Sequence, residues 1–127
     1  MIINTPISLG ELIDKISILL IKEKNIKDQK KLIIIREELS LLKGTLKKNT
    51  KNNNFDSYIN QLLEVNSKLW KIEDDIRVCE RSKKFDQNFI DLARSVYLVN
   101  DRRSQIKLEI NSKFGSTIVE VKSYEKY

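Results

Sequence analysis

Two groups of residues in this sequence could do chemistry: carboxylates one helical turn apart, and cations placed inside apolar stripes. Glu11-x-x-Asp14 sets two carboxylates on one face of a helix. Joined by Glu73, they would form an oxygen-ligand set able to hold Mg²⁺ against a pyrophosphate. Arg103 falls between Val96, Val99, Ile106 and Ile110 at the spacing of an inward face, with Asn100 and Lys107 on its edge. An isolated buried guanidinium costs several kcal/mol, so Arg103 needs a carboxylate from another helix, Asp14 or Glu11, and could stack on Trp70. At about 100° per residue, Asn66, Trp70, Glu73, Arg77 and Glu80 share an arc of roughly 80° that borders an apolar stripe. Cations with forked donors match phosphate or carboxylate oxygens, which makes Arg77, Arg94, Arg102, Arg103 and Lys107 candidates for an anionic group. Trp70 and Tyr97 would be flat walls beside them.

Composition removes other chemistries. The 127 residues include no histidine, so Ser-His-Asp and Cys-His catalysis and imidazole zinc sites are excluded. The lone Cys79 can form no internal disulfide and fits a reducing compartment, so a cytoplasmic location is expected. The longest apolar runs, such as Ile18-Leu19-Leu20-Ile21, are far short of the ~20 residues that span a bilayer. The net charge is +6, drawn mostly from the first 54 residues with 11 basic and 6 acidic side chains. The Lys-rich stretches Lys22–Lys31 and Lys43–Lys51 fall at opposite ends of a hairpin and lack interleaved aromatics. Specific nucleic-acid binding is therefore not expected.

These residues must be positioned by long helices. With Gly 3 and Pro 1, the chain has few of the residues that turns require. Ser8-Leu9-Gly10-Glu11 is a capping box that starts a first helix running from Leu9 to about Lys24, apolar on two sides and hence central. Glu11 and Lys15 are spaced for an i, i+4 pair on it. A second helix, capped by Asp28, runs from Gln29 to Lys47. Thr50 to Asn54 reads as a loop. A third helix, capped by Asp56, runs from Ser57 to about Lys83. A fourth, capped by Asp86, runs from Gln87 to Phe114 and stops at Gly115. The remainder is a short tail, in which Thr117–Val121 could be extended. The expected architecture is all-α, a single domain built as an antiparallel bundle of about four helices. Long helices also allow a homodimer, although the stripes are too wide for a two-helix seam.

Five segments carry a resemblance: Gly10–Ile16 (GELIDKI), Leu69–Arg77 (LWKIEDDIR), Leu92–Tyr97 (LARSVY), Asn100–Arg103 (NDRR) and Glu120–Tyr124 (EVKSY). Together they resemble an uncharacterised bacterial family of small proteins and domains. The resemblance implies no activity. Its members look as though they often accompany glycosyltransferase or surface-polysaccharide genes.

Two functions follow. In the first, the protein is a binding or accessory protein without a cofactor. Asp14, Trp70, Glu73, Arg77, Tyr97, Asn100 and Arg103 line an inter-helix pocket for an anionic small molecule, or support a protein partner. In the alternative it is an Mg²⁺-dependent enzyme with Glu11, Asp14 and Glu73 as ligands. That would be similar to all-α nucleotide pyrophosphohydrolases, although their paired Glu-x-x-Glu helix is not clearly present. Converging carboxylates would favour the enzyme; an arginine-bearing pocket without them would favour the binder.

Overall fold

The computed structural model describes residues 1–51 and 53–127, and four helices form among them: α1 (Leu9–Asn25), α2 (Gln29–Asn49), α3 (Asp56–Ser82) and α4 (Gln87–Phe114). No strand occurs among the described residues, and Thr117–Val121 in the tail is neither helix nor strand. The all-α, bundle-like expectation holds. Of the expected Thr50–Asn54 loop, Asn52 lies outside the described residues.

The caps explain where the helices begin and end. Ser8 Oγ accepts from the Glu11 amide at 3.1 Å, Asp28 Oδ1 from Lys31 at 3.0 Å, and Asp86 Oδ1 from Phe89 at 3.2 Å. The start of α3 differs from the sequence expectation. Asp56 is its first helical residue, Phe55 holds the cap position without a side-chain bond, and Asn54 Oδ1 accepts the Asp56 amide at 2.9 Å. Phe55 sits there because its ring is buried against Phe114, 4.7 Å between centroids. Packing therefore outweighs capping chemistry at that residue. Gly115 ends α4 at φ 68, the left-handed conformation that glycine adopts without steric cost.

The helices alternate in direction, but they do not form a square bundle. α1 packs against all three other helices, while α2 packs its length on α1 alone. The parallel pair α1 and α3 therefore touch directly, Ile13 beside Leu62 and Val65. One core of Ile13, Leu62, Val65, Ile106 and Ile110 fills the space between α1, α3 and α4. A second, Leu12, Ile16 and Leu19 against Ile35 and Leu39, joins α2 to α1. Such side chains stabilise by roughly 1.5–3 kcal/mol each when fully buried, which is why a helix apolar on two sides ends up central.

Where α1 meets α4, a polar seam runs beside the first core. Gly10 N donates to Asn111 Oδ1 at 2.7 Å, Lys107 Nζ to Glu11 Oε2 at 2.6 Å, and Arg103 Nε to Asp14 Oδ1 at 3.0 Å. On α4 the residues recur one turn apart at Arg103, Lys107 and Asn111, and on α1 they meet Asp14 and the adjacent pair Glu11 and Gly10. Glu11 turns to Lys107 rather than to Lys15, because Lys107 is buried at this interface and Lys15 is exposed. At Gly10 an added Cβ would stand 2.5 Å from the Lys107 carbonyl oxygen. The seam therefore depends on the close approach that this glycine permits.

Candidate functional site

The centre of the candidate site is Asp14, 0% exposed. Its carboxylate accepts a bidentate pair from Arg103, Nε to Oδ1 at 3.0 Å and Nη2 to Oδ2 at 2.5 Å. Asn66 of α3 donates to the same Oδ1 at 2.9 Å and to Ser17 Oγ at 2.9 Å, and Ser17 Oγ donates to the Asp14 carbonyl at 2.7 Å. The cluster thus ties α1, α3 and α4 together through one carboxylate. Fork-on-fork geometry strengthens and orients the pair. The bond to Asp14 raises the Arg103 pKa further above its ordinary value. Every buried side-chain nitrogen and oxygen among the described residues has a partner. The network is therefore complete without a ligand.

Arg103 is not wholly consumed by this role. Its side chain remains 27% exposed, and Nη1 has only a long 3.5 Å contact to Asn100 Oδ1. Arg103 lines a cleft of about 500 Å³ between α1, α3 and α4. Ile18, Ile21 and Leu69 supply apolar wall, and Trp70, the only tryptophan in the chain, stands among them. Lys22, Glu73, Asp74 and Arg77 line the same cleft.

Of the seven residues expected in the pocket, five line this cleft: Trp70, Glu73, Arg77, Asn100 and Arg103. Asp14 lies behind it as the partner of Arg103. Glu73 and Arg77 are exposed and ion-paired to each other. Tyr97 does not join them. It is 44% exposed and faces the C-terminal tail, its ring 5.4 Å from that of Tyr127. Positions 97 and 100 of α4 are offset by about 60° around the helix, and only position 100 lines the cleft. Arg94 and Arg102 also point elsewhere, both exposed, with Arg102 reaching Gln61 and Glu109. Glu11, Asp14 and Glu73 do not converge. Each is paired with a different basic residue, and no group of three potential metal ligands occurs among the described residues.

Sequence reasoning missed Ser17 and Asn111, both buried. A signal existed for each. Ser17 is one turn from Asp14 inside an apolar run, and Asn111 continues the series 100, 103, 107 on α4.

A family model described as "Family of unknown function (DUF6165)" matches residues 3–127, and the chain belongs to that family. No curated protein and no solved structure matches it.

Proposed function

We propose that this protein is a small-molecule binding or accessory protein whose cleft between α1, α3 and α4 receives a ligand bearing a phosphate or carboxylate. The observation that carries this reading is the unused edge of Arg103. The buried Asp14 holds the guanidinium rigidly, so little side-chain entropy remains to be lost when its free donors meet an oxyanion. Lys22 at the rim adds a cation with no ion-pair partner among the described residues. Trp70 with Ile18, Ile21 and Leu69 offers apolar surface to the uncharged part of the ligand. The cleft volume lies within the range of small-molecule sites, about 300–1,000 Å³. The dispersed carboxylates give no support to the magnesium-dependent alternative.

A connection to surface-polysaccharide synthesis belongs to the same proposal and makes sugar phosphates and nucleotide sugars the first compounds to try. The test is the melting midpoint of the wild type and of Arg103→Met, each with and without pyrophosphate, glucose 1-phosphate and UDP-glucose. Binding at 100 times Kd should stabilise the wild type by about 2.7 kcal/mol, while the variant should respond less. If Arg103→Met is at least as stable as the wild type and no compound shifts either protein, Arg103 is a replaceable core charge and the reading fails.

A further inference from the structure

The C-terminal tail carries the fifth sequence motif, Glu120–Tyr124, which the cleft does not use. The tail doubles back along α4. Ser116 Oγ accepts the Leu9 amide at 3.1 Å, Glu120 Oε2 reaches Lys107 Nζ at 3.0 Å, and the Tyr127 hydroxyl donates to Asp101. Between tail and helix lies a recess of about 180 Å³, lined by Asn100, Arg103, Ser104 and Lys107 of α4 and by Lys122 and Tyr124 of the tail. It adjoins the cleft along α4, with Asn100 and Arg103 as shared walls.

The charge arrangement in this recess is one-sided. Arg103, Lys107 and Lys122 line it, whereas their carboxylate partners Asp14, Glu11 and Glu120 do not. Glu120 bridges Lys107 and Lys122, Glu11 also holds Lys107, and Asp14 holds Arg103, so each cation is fixed in place. Lys107 Nζ is held at 2.6 Å by Glu11 and at 3.0 Å by Glu120, and Lys122 Nζ at 2.5 Å by Glu120 with the Tyr124 ring 5.8 Å away. The Ser104 and Tyr124 hydroxyls and the Asn100 amide add neutral hydrogen-bonding groups. Three cations held in place around a small hollow that no carboxylate lines favour a compact oxyanion.

We propose that the C-terminal tail completes an oxyanion site, in which Arg103, Lys107 and Lys122 hold one tetrahedral phosphate or sulfate group. The site does not depend on the cleft having a ligand. Its size admits a single such group, either the free ion or the terminal phosphoryl of a monoester whose remainder stays outside. Lys122 and Tyr124 of the site belong to the tail, so anion binding and docking of the tail are coupled: each stabilises the other.

The experiment titrates the full chain with inorganic phosphate, sulfate and glycerol 3-phosphate and follows backbone amides by NMR, for the wild type, Lys122→Met, Tyr124→Phe and the surface control Lys68→Met. Saturable shifts at Ser104, Lys107 and Lys122–Tyr124 are expected, with affinity roughly ten-fold weaker in Lys122→Met and unchanged in Lys68→Met. Lys122 is partly exposed, so its loss should leave the fold intact, which thermal melts will verify. Tighter binding of glycerol 3-phosphate than of phosphate would identify a phosphomonoester as the occupant. The proposal is overturned if none of the three anions binds, if the shifts fall only at the Lys-rich ends of α1 and α2, or if Lys122→Met binds as tightly as the wild type.

Discussion

At Arg103 and Asp14 the two members of an ion pair are unequally buried, and this decides what each substitution does. Arg103→Met would strand a carboxylate that has no access to water, with Asn66 as its remaining side-chain donor. Losing one partner of a buried pair costs about 3–5 kcal/mol. Asp14→Asn leaves a guanidinium that is already 27% exposed and can turn toward solvent. Its cost should be smaller, about 1–3 kcal/mol. Urea denaturation of both variants checks this order, and Asp14→Asn proving the more damaging would show that the buried end is not the sensitive one. The pairing was legible because Arg103 interrupts an apolar arc, and a buried cation needs a carboxylate. The degree of burial was not legible, because an angular position on a helix does not reveal that the interface there opens into a cleft. Tyr97 was misplaced for a related reason: only the tail, whose return path no pattern in the chain discloses, determines what covers it.

Elements are joined along the seam of α1 and α4, and at Gly10 the two helices leave no room for a side chain. A Cβ at this position meets a carbonyl oxygen at 2.5 Å, and backbone cannot yield as a flexible side chain would. Gly10→Ala should cost about 1–3 kcal/mol despite the better helix propensity of alanine, whereas Gly44→Ala, with open space around it, should be neutral or stabilising. Thermal melts of the two variants provide the comparison, and equal effects would mean that α1 can shift at no cost. The tail is an element held mainly by polar contacts, so its docking depends on pH. Bonds from Lys122 and then Lys107 lower the Glu120 pKa to about 2, so that contact is fully present above about pH 4.5 and lost as pH falls toward 2. At the other end, the bond to Asp101 raises the Tyr127 pKa, so that contact is present below about pH 10 and lost as pH rises beyond the raised value. Burial alone would lower the Lys107 pKa, but its bonds to Glu11 and Glu120 raise it on balance, which puts its loss on the alkaline side as well. Proteolysis of the tail should therefore be slowest between these limits and accelerate in strong acid and strong alkali. A rate set only by protease activity across that range would contradict the polar-strap account. Helix boundaries were legible from Ser8, Asp28, Asp86 and Gly115, whose chemistry is local. Asp56 failed as a cap because burial of Phe55 is a tertiary effect that outweighs local preference.

At the scale of the molecule, α2 is an outrigger. It packs along α1 only, and its outer face exposes Ile33, Ile34 and Leu41. Its amides should exchange with solvent sooner than those at the centres of α1, α3 and α4, which share the first core. Equal protection in all four helices would indicate one cooperative unit and contradict this division. Short connections implied antiparallel neighbours, and the centrality of α1 could be read from its two apolar sides. Which non-adjacent helices touch was not legible. The contact of parallel α1 and α3 depends on packing geometry, and it is this contact that lets Asn66 reach Asp14 and opens the cleft beside Trp70.

The proposed anion binding through Arg103 takes place beside the single tryptophan, Trp70, whose fluorescence reports on it directly. The measurement is Trp70 fluorescence during titration with pyrophosphate and glucose 1-phosphate, for the wild type and Arg103→Lys. Lysine keeps the charge but loses the fork that grips Asp14 and presents donors to the cleft. A saturable change is expected in the wild type, with binding weaker by roughly ten-fold or more in Arg103→Lys. No saturable change with either compound, or equal affinity in the two proteins, would contradict it.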